Sequence, residues 1–130
     1  MDWNNIKHFS MSEFACKCGE CGSDGSEMNL NFVAKLDHLR KALSVPFRVT
    51  SGYRCPHYND DVSSTGADGP HTTGQAADLN LFGGNVLRLM MHLDGVLITG
   101  FGMNQKGPYE KRVVHLDDIY DGPRPWVWTY

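Results

Sequence analysis

The chain has 130 residues, a length that suits one domain with one core, and we expect residues 1–130 to form a single domain. Its apolar fraction of 41% and charged fraction of 21% are typical of a soluble globular protein. The formal net charge of -3 provides no general basic field, so the composition disfavours nucleic acid as a partner. No apolar run approaches the roughly 20 residues that span a bilayer, and we expect a monomer without membrane insertion.

The predicted elements begin with a capping box at residues 10–13, which opens a short helix. Apolar residues then recur at three- and four-residue steps over residues 29–43, which predicts an amphipathic helix. A short strand is predicted at residues 47–51, directly after Pro46. The segment 52–70 is rich in Gly, Ser, Asp and Pro, and it predicts a long loop with one helical turn near Tyr58.

The second half of the chain predicts strands at 76–81, 96–101, 112–116 and 126–130, with a second amphipathic helix at 85–93. The sum is an α+β fold with a mostly antiparallel sheet and helices packed on one face.

A candidate metal site begins with His71 and Asp78, which are separated by Gly74 and two alanines. The glycine allows a sharp turn, so the loop histidine and the strand aspartate can face one point. Imidazole nitrogen and carboxylate oxygen both bind zinc at about 2.0–2.2 Å. His115 offers a third ligand on a predicted strand, where period two places Asp117 on the same face. Three protein ligands and one open position are typical of a catalytic zinc site.

Three motifs together resemble the D-alanyl-D-alanine zinc metallopeptidase family. They are Ser51-Gly52-Tyr53-Arg54, His71-x-x-Gly74-x-Ala76-x-Asp78 and His115-x-Asp117. The family includes zinc D-Ala-D-Ala carboxypeptidases, the VanX and VanY enzymes and phage L-alanoyl-D-glutamate endopeptidases, and it shares its fold with hedgehog domains. The opening Phe9-Ser10-x-x-Glu13-Phe14-x-Cys16-Lys17-Cys18 and the closing Arg124-Pro125-x-x-Trp128-x-Tyr130 resemble its short phage and prophage branch.

The resemblance implies that His71, Asp78 and His115 bind Zn²⁺ and that Arg54 binds a substrate carboxylate or stabilises the oxyanion. A guanidinium can pair with either group in a bidentate manner, although a structural salt bridge is the alternative for Arg54. The implied reaction is hydrolysis of a peptide bond in the peptidoglycan stem peptide by a metal-activated water. An endolysin-type endopeptidase and a D,D-carboxypeptidase both remain open.

Two positions depart from the family pattern. Gly69 stands where many members have a serine, and Arg112 stands where many have the catalytic carboxylate. We therefore expect Asp117 to act as the general base or to orient His115, and Glu110 is the alternative base. Asp118 should point away from the metal. The departure at Arg112 also leaves open a catalytically inactive, zinc-bearing binding or structural module of the same fold.

The four cysteines allow three interpretations. Cys16, Cys18 and Cys21 lie close together in the sequence and Cys55 stands apart. Disulfides would require an oxidising compartment, four thiolates could instead hold zinc, and free thiols are the third alternative.

The location of the protein is inferred from its first 14 residues, which include charged side chains and lack the apolar stretch of a signal peptide. We expect synthesis in the cytoplasm without a signal peptide. The family resemblance implies action on the bacterial cell wall, in phage lysis or as part of a virion.

Overall fold

The computed structural model covers residues 1–130 and combines three α-helices with one five-stranded sheet. The helices are α1 (Leu30–Leu43), α2 (Pro56–Val62) and α3 (Gly84–Met90). The strands are β1 (Arg48–Ser51), β2 (Ala76–Asn80), β3 (Gly100–Asn104), β4 (Val113–Asp117) and β5 (Trp126–Thr129).

The sheet has the strand order β1-β2-β4-β3-β5. Its neighbouring strands run antiparallel except for β3 and β5, which are parallel. The predicted α+β class with a mostly antiparallel sheet is therefore confirmed.

Alternation along the central strands divides the sheet into two chemically different faces. Leu79 of β2 and both Val114 and Leu116 of β4 are fully buried in the hydrophobic core. Helices α1 and α3 cover this face with the buried side chains Phe32, Val33, Leu36, Leu39, Leu43, Val86 and Leu89. The opposite face of β2 and β4 carries polar side chains.

Helix α1 begins and ends where local chemistry predicts. The Asn29 side chain accepts a hydrogen bond from the backbone N–H of Phe32 at 3.1 Å, which caps the first turn. Ser44 adopts φ 54° at the other end and stops the helix two residues before Pro46. The short turn at Met11–Phe14 is also capped, because the Ser10 N–H donates to Glu13 Oε2 at 2.7 Å.

Three predicted elements differ in length or position from those in the structure. The loop 52–70 contains the two-turn helix α2, which begins with Cys55 as its N-cap and Pro56 at its first position. Helix α3 ends at Met90 rather than at residue 93. The strand predicted at 96–101 begins only at Gly100, because Asp94–Val96 form a 3-10 turn and Leu97 has a left-handed conformation with φ 58°. None of the three helices is long and apolar enough to cross a membrane.

Candidate metal centre

Pairing of β2 with β4 brings two of the predicted ligands together. Asp78 lies directly opposite His115 in the antiparallel register, and both side chains point away from the core. His71 arrives from the 3-10 turn Pro70–Thr73, which is closed by Gly74 at φ 77°. A Cβ at Gly74 would collide with the carbonyl oxygen of Glu27, so only glycine suits this turn.

The donor atoms of these three side chains converge on one point. Nε2 of His71 lies 3.3 Å from Oδ1 of Asp78, and Nδ1 of His115 lies 3.1 Å from the same oxygen. Ligands about 2.0–2.1 Å from a tetrahedral zinc ion are separated by roughly 3.3–3.4 Å. The spacing of the donor atoms therefore fits a metal of this size.

The hydrogen bonds on the outer side of each imidazole determine which nitrogen faces inward. Nδ1 of His71 lies 2.8 Å from the carbonyl oxygen of Gly52, which can only accept, so Nδ1 carries the hydrogen. Nε2 of His115 lies 2.7 Å from Oδ2 of Asp117 and donates to it in the same way. The inward nitrogen of each neutral ring then carries a lone pair that faces an anionic carboxylate. Such a group of electron-rich atoms needs a cation, and its donor set suits a divalent metal.

The groups around His115 and Asp78 shift the pKa of both side chains. Burial lowers the pKa of His115, but hydrogen bonds to Asp117 and Asp78 outweigh it and hold the pKa above its ordinary value. Burial raises the pKa of Asp78, but hydrogen bonds from His115 and His71 outweigh it and keep the pKa well below the ordinary value. Asp78 is therefore ionised at neutral pH, the form in which a carboxylate binds a divalent metal.

Asp117 lies behind His115 rather than beside the candidate metal position. It is fully buried, and its two oxygens accept hydrogen bonds from Arg124 Nε at 2.9 Å and Arg124 Nη2 at 2.8 Å. Burial raises the pKa of Asp117, but the bonds from His115 and Arg124 outweigh it and lower the pKa to about 2. Asp117 is therefore an ionised partner that fixes the orientation of His115.

Arg54 also contacts a candidate ligand. Its Nη2 lies 3.5 Å from Oδ2 of Asp78, while Nε donates to Ser51 Oγ and Nη1 donates to Asn59 Oδ1, each at 3.1 Å. These contacts use three of the five guanidinium N–H groups. The remaining two N–H groups can bind a ligand, so the structural salt bridge and the substrate-binding role are compatible.

A cleft of about 370 Å³ opens over the three candidate ligands. Its lining includes Arg54, the segment 63–65, Arg124, Trp126, Trp128 and Tyr130. Asp78 contributes the one acidic side chain of the lining. The cleft therefore combines two guanidinium groups with aromatic surface around the candidate metal position.

The positions that depart from the family pattern have structural explanations. A Cβ at Gly69 would collide with Thr65 Oγ1, so the space for a serine side chain is already taken. Arg112 donates from Nε to the carbonyl oxygen of Gly107 at 3.0 Å and lies over the Tyr109 ring, outside the cleft. Glu110 follows Tyr109 in the same turn and does not line the cleft either.

Asp118 points away from the metal position, as strand alternation predicts. Its carboxylate pairs with Lys35 Nζ of α1 at 2.9 Å and accepts from Gln75 Nε2 at 3.1 Å.

Two residues of the cleft had no role assigned from sequence. Arg124 binds Asp117, and its guanidinium lies 5.2 Å from the centre of the Trp128 ring. The Trp128 ring in turn lies 5.0 Å from that of His115. Both belong to the closing motif Arg124-Pro125-x-x-Trp128-x-Tyr130, which was the available signal but did not reveal what these side chains contact.

Comparison with known proteins identifies the family. The sequence profile described as Peptidase M15 matches residues 7–117, which include all three candidate ligands and Asp117. Comparisons with curated proteins and with solved structures returned no match. The predicted zinc metallopeptidase family is confirmed at this level, while the phage and prophage branch stays a prediction. The chain belongs to the Peptidase M15 family.

Proposed function

We propose that the protein is a zinc-dependent peptidase that hydrolyses the stem peptide of bacterial peptidoglycan, acting as a lytic endopeptidase. The observation that carries this proposal is the convergence of His71 Nε2, Asp78 Oδ1 and His115 Nδ1 at the base of a cleft. Membership of the Peptidase M15 family supports hydrolysis of a peptide bond.

Three side chains would bind the metal, and two further groups hold the imidazoles in place. Bound by the three side chains, zinc would lower the pKa of a water molecule and polarise the scissile carbonyl. The Gly52 carbonyl and the Asp117 carboxylate fix the two imidazoles through their outer nitrogens, which keeps the inner nitrogens aimed at one point.

The electrostatics of the cleft suit a substrate that carries carboxylates. Arg54 and Arg124 each retain two N–H groups that the protein does not use, since each makes three hydrogen bonds within the chain. A stem peptide offers carboxylates along its length and at its end. We propose that Arg54 binds one of them or the developing oxyanion, and that the aromatic wall packs against the peptide.

The experiment is digestion of purified peptidoglycan with and without a chelator, followed by mass analysis of the soluble products. An endopeptidase releases peptides cut at an internal bond, whereas a D,D-carboxypeptidase releases D-alanine alone. The proposal predicts products in the presence of zinc and none with the chelator. Release of D-alanine alone would favour the carboxypeptidase, and products that persist with the chelator would contradict a metal mechanism.

A second candidate is a zinc-bearing binding module without turnover. The observation that favours it is the absence of an acidic side chain other than Asp78 from the cleft lining. A general base must come within about 3 Å of the oxygen atom whose proton it accepts. This module would bind zinc and co-sediment with peptidoglycan but release no product at any zinc concentration.

By extension, we propose that the protein acts at the bacterial cell wall, in phage lysis or as part of a virion. A cell-wall substrate is the basis for this location.

A further inference from the structure

Four cysteines form a second cluster of possible metal ligands, outside the cleft. Cys16, Cys18 and Cys21 lie in the loop after the turn Met11–Phe14, and Cys55 is the N-cap of α2. All four are free thiols, and their sulfur atoms lie within 4.8 Å of one another. The fold thus brings together residues that are far apart in the sequence.

The separation of the sulfur atoms suits a shared tetrahedral ion. Thiolates about 2.3 Å from a tetrahedral zinc ion are roughly 3.8 Å apart. Sγ of Cys18 and Sγ of Cys55 are 3.9 Å apart. A disulfide would require about 2.05 Å, so the cluster has the spacing of a metal site.

Backbone N–H groups surround the sulfur atoms. The N–H of Glu20 donates to Cys18 Sγ at 3.4 Å, and the N–H of Cys55 donates to Cys16 Sγ at 3.3 Å. The N–H of Tyr58 donates to Cys55 Sγ at 3.5 Å. Such donors stabilise thiolates and hold their direction, as the outer contacts of metal ligands do.

Two glycines allow the loop to bend around the same point. Gly19 has φ 76° and directly follows Cys18, while Gly22 has φ 72° and directly follows Cys21. Two residues separate Cys18 from Cys21, which is a ligand spacing used in structural zinc sites.

We propose that Cys16, Cys18, Cys21 and Cys55 bind a second ion, a structural Zn²⁺ held by four thiolates. Soft thiolate ligands in a tetrahedral set select zinc over hard divalent cations such as magnesium. Four protein ligands leave no open position for substrate or water, so this ion has a structural role.

Backbone hydrogen bonds connect the cysteine cluster to the candidate metal centre. Cys55 follows Arg54, whose backbone N–H donates to the carbonyl oxygen of His71 at 3.1 Å. The N–H of Tyr53 donates to the carbonyl oxygen of Phe14 at 2.9 Å, which joins the same corner to the cysteine loop. An ion held by all four cysteines fixes this corner, and with it the Gly52 carbonyl that orients His71.

The test measures zinc per chain in protein purified under reducing conditions. The wild type should contain two zinc ions, and both Cys21→Ser and His115→Ala should contain one. Lys17→Ala alters an exposed residue of the same loop that has no ligand atom near the cluster, and it should keep two. One ion in the wild type, with the same content in Cys21→Ser, would overturn the proposal.

Two measurements need no cysteine variant, in case Cys21→Ser does not fold. Cobalt loaded into His115→Ala should give intense thiolate-to-cobalt charge-transfer bands, because only the thiolate site remains. Their absence would contradict the four-thiolate site. Titration of the denatured, unreduced wild type should find four free thiols, and finding none would show disulfides instead.

Discussion

Asp117 has both of its oxygens occupied by neighbouring side chains, and this arrangement defines its role. His115 and Arg124 together use the whole carboxylate, and the imidazole ring of His115 stands between Asp117 and the candidate metal position. A carboxylate in this place can orient the ring, but it does not reach a water molecule on the other side. We therefore favour orientation of His115 over general base catalysis.

Replacement of Asp117 by asparagine tests this role. Because the carboxylate makes His115 a better and more rigid ligand, Asp117→Asn should weaken zinc affinity by about 10–100-fold, and added zinc should restore turnover. Asp118→Asn is the matched control, since Asp118 faces Lys35 and should leave zinc affinity unchanged. Normal zinc affinity with turnover that no zinc concentration restores would show instead that Asp117 is the base.

Glu110→Gln completes this comparison, because Glu110 is the other candidate base. It lies outside the cleft, so we expect near-normal turnover. A complete loss of turnover would show that the turn moves toward the substrate and supplies the base.

The depressed pKa of Asp117 predicts how the metal-free protein loses stability in acid. The folded pKa of about 2 lies below the ordinary aspartate value of 3.8, so the stabilisation by this ionised carboxylate is present above about pH 4 and is lost as the pH falls toward 2. The unfolding free energy of the wild type relative to Asp117→Asn should therefore fall by roughly 1.5 kcal/mol between pH 5 and pH 2.5. Urea unfolding with a chelator present measures this difference, and parallel curves for the two proteins would contradict the ion pair.

Replacement of Arg54 by lysine tests the importance of guanidinium geometry. Lysine keeps the positive charge near Asp78 but loses the planar group that also binds Ser51 and Asn59. Arg54→Lys should therefore lower kcat/KM by at least about tenfold while zinc content at saturation stays unchanged. Wild-type kinetics in this variant would mean that Arg54 does not contact the substrate.

At the scale of single residues, the sequence identifies the candidate ligands but not the partner of Asp117. His71, Asp78 and His115 were predictable as candidate ligands because their residue types and spacing are specific in combination. The partner of Asp117 was not predictable, because Arg124 comes from a loop beyond β4 whose path the sequence pattern does not determine. Tertiary structure alone reveals that this arginine occupies both carboxylate oxygens.

At the scale of elements, β3 is the strand that makes room for the site. Gly100 and Gly102 lie opposite Asp117 and His115 in the register. A Cβ at Gly100 would collide with the Asp117 carboxylate, and one at Gly102 would collide with the Trp128 indole. The two glycines therefore allow Asp117 to be buried and Trp128 to lie over the strand beside His115.

Gly102→Ala should displace Trp128 from the wall of the cleft. The added methyl group takes the place of the indole, so we expect a change in tryptophan fluorescence and a loss of turnover with zinc still bound. Gly84→Ala is the control, because no atom lies within 4 Å of its added Cβ and its φ is not left-handed. Unchanged fluorescence and turnover in Gly102→Ala would show that Trp128 is not part of the working cleft.

The same glycines explain why the sequence predicts β3 to begin earlier than it does in the structure. The β-branched residues Val96 and Ile98 favour an early strand, and Gly100 and Gly102 resemble strand breakers. In the structure these glycines are the first and third residues of β3, because neighbouring side chains need their space. Helix α1 was predicted well because its periodicity, cap and following proline agree.

At the scale of the whole molecule, the two faces of the sheet have different roles. One face of β2 and β4 packs against α1 and α3, and the other face carries Asp78, His115 and Asp117. The rigid strands fix two candidate ligands, while the loop before β2 adds His71 and the segment after β4 adds Arg124. The candidate metal centre is thus assembled from parts of the chain that only the complete fold brings together.

The most direct test of the central claim is zinc titration of chelator-treated protein, with release of soluble peptide from peptidoglycan as the readout. The wild type should be inactive without zinc and should recover as zinc is added. Asp78→Ala removes the carboxylate that both histidines face, so it should stay inactive at every zinc concentration. Peptide release by zinc-free wild type, or full recovery of Asp78→Ala, would contradict a catalytic metal held by His71, Asp78 and His115.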